Sequence, residues 1–82
     1  MNARKTIGDN IRGYRKILGL SQKEFSQIAG MNRTYLASVE RGEKNITIDT
    51  ILRIATVIGV PHHLLLQEGA HKWSRVVKKK DS

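Results

Sequence analysis

The stretch Ser21 to Arg41, SQKEFSQIAGMNRTYLASVER, constrains the chain more than any other. Ser21 and Glu24 have the spacing of a capping box, in which the hydroxyl accepts from the Glu24 amide and the carboxylate reaches back to Ser21. A helix is therefore expected to open at Gln22. Phe25, Ile28 and Ala29, at i, i+3 and i+4, are expected to form its inner face. Gly30 ends it where a positive φ is easily adopted. Ser26 falls between helices, where a small side chain allows close approach and a carbonyl one turn back can satisfy its hydroxyl. Asn32 is a good N-cap for a further helix, from about Arg33 to Arg41, that stops at Gly42. Its apolar anchors are Leu36 and Val39, with Glu40 beside them.

The rest of the chain has to support these two short helices or bring two copies of them together. Ile7, Ile11, Tyr14 and Leu18 recur at helical spacing, which predicts a first helix over about Thr6 to Leu18. Arg15 borders that apolar stripe, so its stem either snorkels to water or its guanidinium enters a partly buried ion pair. Thr47 is an N-cap for a fourth helix reaching about Ile58. Ile48, Ile51, Leu52, Ile54, Ala55 and Ile58 cover more than one narrow stripe of it, so it is expected to be the most buried. Pro61 suits the first turn of a short fifth helix through about Gln67. That helix carries Leu64, Leu65 and Leu66, and three consecutive leucines cannot all face one small core. The surplus points to an interface between copies, with Trp73 as a further anchor. Residues 69–82 form a basic tail in which Trp73, Val76 and Val77 have the spacing of a weak amphipathic helix.

Composition narrows the chemistry. At 82 residues the chain suits one small domain, leaving no room for a catalytic domain beside a binding one. The absence of cysteine excludes disulfides, thiolate metal ligands and a thiol nucleophile, and suits a reducing cytoplasm. No segment approaches the roughly 20 apolar residues that span a bilayer. His62, His63 and His71 lack metal-binding spacing, so no metal or other cofactor is expected. No constellation for nucleophilic catalysis exists, so neither an enzyme nor a small-molecule substrate is expected. The net charge is +8, carried by residues 1–44 (+5) and 70–82 (+4), with 45–69 at −1. A polyanion is the natural partner for that distribution.

The outward stripe of the Arg33–Arg41 helix is Thr34, Ala37, Ser38 and Arg41, with Arg33 and Tyr35 at its leading turn. Surface helices tend to carry Glu and Lys. Short hydrogen-bonding side chains around an alanine instead let the backbone approach another surface closely. The string IGDNIRGYRKILGLSQKEFSQIAGMNRTYLASVERGEKNITIDTILRIATVIGV resembles the Cro/CI-type (XRE-like) helix-turn-helix family of bacterial and phage regulators, over about Ile7 to Leu66. The resemblance is carried by the GLSQ opening of the second helix, the AG turn, the E-R-G end of the third and the A-x-x-I-G-V end of the fourth. Ser26 departs from it, since the family usually has alanine there. Arg33, Thr34 and Tyr35, with Arg41 to Thr47, resemble the controller proteins of restriction-modification systems, which are dimeric regulators.

The resemblance implies an all-α, five-helix, lambda-repressor-like DNA-binding domain over residues 1–68. It also implies a structural ion pair between Arg15 and Glu40. A recognition helix enters the major groove by its N-terminal part, which makes Arg33, Thr34, Ala37 and Ser38 the candidates for base contacts. Gln22, Asn32, Tyr35, Lys44 and Asn45 are the candidates for phosphate contacts. The expected partner is a pseudo-palindromic duplex operator bound by a homodimer, with Leu64, Leu65, Leu66 and Trp73 at the two-fold contact. Two other readings stay open: an antitoxin-type regulator that binds a toxin protein and its own operator, and a tail that anchors at a membrane surface.

Overall fold

The computed structural model describes residues 2–73. Four α-helices, α1 (Ala3–Ile17), α2 (Gln22–Ala29), α3 (Arg33–Glu40) and α4 (Ile48–Ile58), are followed by two 3-10 segments, His62–Leu66 and Ala70–Trp73. No strand occurs among the described residues. Of the basic tail, residues 74–82, Val76 and Val77 among them, lie outside them. Among the described residues no helix is long and apolar enough to cross a membrane.

Local chemistry sets the helix ends. The Asn2 side chain accepts from the Lys5 amide at 3.1 Å, so α1 begins about a turn earlier than its apolar periodicity suggests. Both bonds of the capping box are present at α2, Glu24 N–H to Ser21 Oγ at 3.0 Å and Ser21 N–H to Glu24 Oε1 at 2.8 Å. The Ser21 amide, and then its hydroxyl, hold the Glu24 carboxyl below its ordinary range. Gly30, at φ 69°, reverses the chain so that the Met31 amide donates back to the Ser26 carbonyl at 2.9 Å. Asn32 Oδ1 then accepts from the amides of Thr34 and Tyr35 to start α3.

The core joins Ile7, Ile11 and Tyr14 of α1 to Phe25 and Ala29 of α2, Leu36 and Val39 of α3, and Ile51, Ile54, Ala55 and Ile58 of α4. The inner face of α2 runs through Phe25, Ser26 and Ala29, whereas Ile28 lies on the flank and is 60% exposed. Ser26 is buried, and its hydroxyl donates to the Lys23 carbonyl at 2.9 Å. The fourth helix is less buried than its composition suggests, with Ile48 at 74% and Leu52 at 42% exposure. Its neighbours cover only the face through Ile51, Ile54, Ala55 and Ile58.

The expected fifth helix is a 3-10 segment, and its leucines divide. Leu65 is fully buried in the core, Leu64 is half-buried and Leu66 is 42% exposed. Leu65 is thus no part of a contact between copies. The segment is held from the side by Asn10, a wholly buried residue of α1. Asn10 Nδ2 donates to the carbonyls of Leu64, Leu65 and Gln67 at 3.2, 3.0 and 2.8 Å. With its nitrogen so engaged, Asn10 Oδ1 is the acceptor for the His71 amide at 3.2 Å and for His71 Nδ1 at 2.8 Å. The imidazole proton therefore sits on Nδ1. The His71 ring lies over Gly13, where any Cβ would collide with it.

Burial holds the His71 imidazole below its ordinary range, with Lys72 adding to the effect and Asp9 opposing it. A base whose native pKa is depressed takes up its proton more readily in the unfolded chain. Its contribution to stability is therefore present above the unfolded value near 6.5 and is lost as the pH falls through the native one. The melting temperature is expected to drop as the pH is lowered to the acid side of 6.5, and His71→Gln to flatten that drop in thermal denaturation.

Candidate nucleic-acid interface

One buried ion pair carries the geometry of α3. Arg15 Nε donates to Glu40 Oε2 at 2.7 Å and Arg15 Nη2 to Glu40 Oε1 at 2.9 Å, with both residues buried. The third donor, Nη1, meets the Leu20 carbonyl at 2.9 Å just before α2. Gln22 Nε2 donates to Glu40 Oε1 at 3.1 Å. The cluster therefore ties α1, the opening of α2 and the end of α3 together. Among the described residues no buried side-chain polar atom lacks a partner. Gly8 allows the same approach, because a Cβ there would meet the backbone oxygens of Val39 and Glu40.

Locked in this way, α3 turns Leu36, Val39 and Glu40 inward and leaves its other face open. Arg33 and Thr34 are exposed at its first turn, and Ala37 and Ser38 are half-exposed behind them. Arg41 is exposed at its end, donating to Ser38 Oγ at 3.3 Å and pairing with Glu43 Oε1 at 3.1 Å. That bond from Arg41 holds the Glu43 carboxyl below its ordinary range. An exposed pair of this kind is worth little and can be exchanged for another anion.

The candidate phosphate contacts differ in how free they are. Lys44 and Asn45 are exposed in the loop before α4. Asn32 is exposed, but its side-chain oxygen is spent on the α3 cap, which leaves its amide nitrogen as the donor. Tyr35 is half-buried against the core. Gln22 has committed one N–H to Glu40, so only its second is available. Beside these residues a cleft is lined by Lys5, Asp9 and Arg12 of α1, Gln22 of α2, Ala37 of α3 and Arg41 at the C-cap of α3. Sequence reasoning missed this α1 wall, since nothing in the spacing of exposed residues tells which neighbour they face. It also missed Asn10, for which a signal existed: a polar residue three after Ile7 and four before Tyr14 interrupts an apolar stripe.

His62 and His63 stack edge-on, and no group of three or more His, Asp or Glu able to hold a metal occurs among the described residues. What remains is a surface for recognition: a short helix with a polar, close-approach face, fixed by a tight turn to a second helix. These features define a helix-turn-helix protein, and the chain belongs to that family, whose pattern matches residues 11–65, in its Cro/CI-type branch.

The chain is 39% identical to the control protein C.SmaI of Serratia marcescens over 71 residues, covering 84% of this chain and 83% of that one. In structure it is similar to the restriction-modification controller protein C.AhdI from Aeromonas hydrophila. The TM-score is 0.72 at 32% identity, over 76% of this chain and 94% of that one. It is also similar to the hypothetical transcription factor NHTF from Neisseria, with a TM-score of 0.79 at 33% identity over 85% and 80% of the two chains.

Proposed function

We propose that this chain is a sequence-specific regulator of transcription that binds duplex DNA as a homodimer, of the kind that controls a restriction-modification system. The observation that carries the reading is the open Arg33–Thr34–Ala37–Ser38 face of α3, held at a fixed angle by the buried Arg15–Glu40 pair. The likeness to C.SmaI and C.AhdI supports the controller class. In the major groove the Arg33 guanidinium can donate to guanine O6 and N7 together, and Thr34 and Ala37 can meet a thymine methyl. Lys44, Asn45, the second Gln22 N–H and the Asn32 amide would seat the unit on phosphates, contacts that fix position without reading sequence.

Leu66 and Trp73, the latter 82% exposed, are the candidates for the two-fold contact, with half-buried Leu64 behind them. A dimer would present its two recognition helices roughly 34 Å apart, matching half-sites about one helical turn apart. Occupancy near a promoter would then block or recruit polymerase. Footprinting on the DNA upstream of the chain's own gene tests the reading. Salt-sensitive protection of a pseudo-palindrome is expected. Arg33→Ala should cost about 1–3 kcal/mol of discrimination at one position of each half-site while leaving non-specific binding in place. Protection of no fragment by the unaltered protein would sink the proposal.

A further inference from the structure

The α1 wall of the cleft has no part in the contacts assigned above. Lys5, Asp9 and Arg12, at i, i+4 and i+7, form one stripe of α1 that lines the cleft together with Gln22 of α2, Ala37 of α3 and Arg41 at the C-cap of α3. Three of its four cations are committed. Lys5 Nζ pairs with Asp9 Oδ1 at 3.2 Å, Arg15 with Glu40, and Arg41 with Glu43. Those three pairs also neutralise every acid in the cleft. Arg12 is exposed and forms no ion pair with another described residue, so it carries the cleft's net positive charge.

The position of that charge matters more than its presence. When a recognition helix lies in the major groove, a phosphodiester strand must pass along its flank. Here the flank toward α1 is a cleft shared by the base-facing Ala37 and the phosphate candidate Gln22, with Arg12 on its far wall. A guanidinium can offer two parallel N–H donors to one phosphate, and it can do so here without giving up a protein partner.

We propose that Arg12 is a DNA-backbone contact, holding a phosphate of the strand that passes over the cleft lined by Arg12, Gln22 and Ala37. The proposal rests on the reading of α3 as the recognition helix. It adds α1 to the DNA-binding surface and assigns Arg12 a role in affinity and register, with none in base choice.

The test is the salt dependence of binding to the footprinted operator, measured for the unaltered protein, Arg12→Gln, Arg12→Lys and Arg4→Gln. Arg4 is exposed on the first turn of α1 and lies outside the cleft, so its variant removes the same charge elsewhere. Arg12→Gln is expected to weaken binding several-fold at about 0.1 M salt. The slope of log K against log salt should become shallower by about 0.9 per protomer, with the protected sequence and the melting temperature unchanged. Arg12→Lys should recover most of the slope, and Arg4→Gln should leave it nearly intact. Equal slopes for Arg12→Gln and Arg4→Gln would overturn the contact. If Arg33→Ala loses its protection while Arg12→Gln keeps the full slope, the DNA reading survives and this contact falls. If the unaltered protein shows no salt-dependent protection at all, both fall.

Discussion

Glu40→Ala is expected to lower the stability of the domain by about 3–5 kcal/mol, the usual cost of removing one partner of a buried ion pair. Glu40 accepts three hydrogen bonds, two from Arg15 and one from Gln22. Its loss leaves the Arg15 guanidinium buried with the Leu20 carbonyl as its one remaining acceptor among the described residues. For a chain of this size the melting temperature should fall by more than about 10 °C. Arg15→Met is the informative companion. Removing the guanidinium instead strands the Glu40 carboxylate, so it should cost a similar amount. The double variant Arg15→Met with Glu40→Leu, which leaves no buried charge, should recover much of the loss. None of the side chains on the open face of α3, Arg33, Thr34, Ala37 and Ser38, is touched by these changes. A folded Glu40→Ala protein at low temperature should therefore still bind DNA, less tightly because the angle of α3 is no longer fixed. An unchanged melting temperature for Glu40→Ala would remove the pair from any structural role.

How much of this was legible beforehand depends on how local each feature is. The caps at Ser21, Asn32 and Thr47 and the turn at Gly30 could be read directly, because each involves a side chain and amides within three residues of it. Asn2 obeys the same rule but precedes any periodic apolar residue, so nothing flagged it as a helix start. Periodicity finds a helix and its apolar side, but not where the neighbouring elements stop. That is why Ile28, Ile48 and Leu52 were expected inside and are exposed. The leucine run shows the same limit from the other direction. The surplus was evident, yet which leucine turned inward depended on a 3-10 geometry imposed from α1.

For the site, the face of α3 followed from its own 3.6-residue period and needed nothing else. The partnership of Arg15 and Glu40, 25 residues apart, was carried by family resemblance and by the position of both at the edge of apolar stripes. Arg12 offered no such handle. Its significance comes from α1 lying beside α3, a tertiary fact set by Gly8 and by the ion pair.

The second large effect is expected at Asn10, and it links the core to the proposed dimer. Asn10→Leu keeps the branched outline of the side chain, at a larger volume, but removes the Nδ2–H₂ group shared among the Leu64, Leu65 and Gln67 carbonyls and the two bonds accepted from His71. A buried polar group left unsatisfied costs about 1–3 kcal/mol, and the Leu65 carbonyl lies in the interior, so a total of about 3 kcal/mol or more is expected. The damage should be local in kind. The caps, the Gly30 turn and the Arg15–Glu40 cluster make no use of Asn10, whereas the Leu64, Leu65 and Gln67 carbonyls and the His71 amide and Nδ1 are all bonded to α1 through it. Hydrogen exchange should therefore speed up first at the amides of residues 64–73, with α2 and α3 protected until global unfolding. If Leu66 and Trp73 carry the two-fold contact, loosening that segment should also raise the dimer dissociation constant, because the ordering entropy would then be lost at association. Sedimentation of Asn10→Leu below its melting temperature separates the cases. Weaker dimers from a folded monomer place the contact on this segment, and dimers of unaltered strength place it elsewhere.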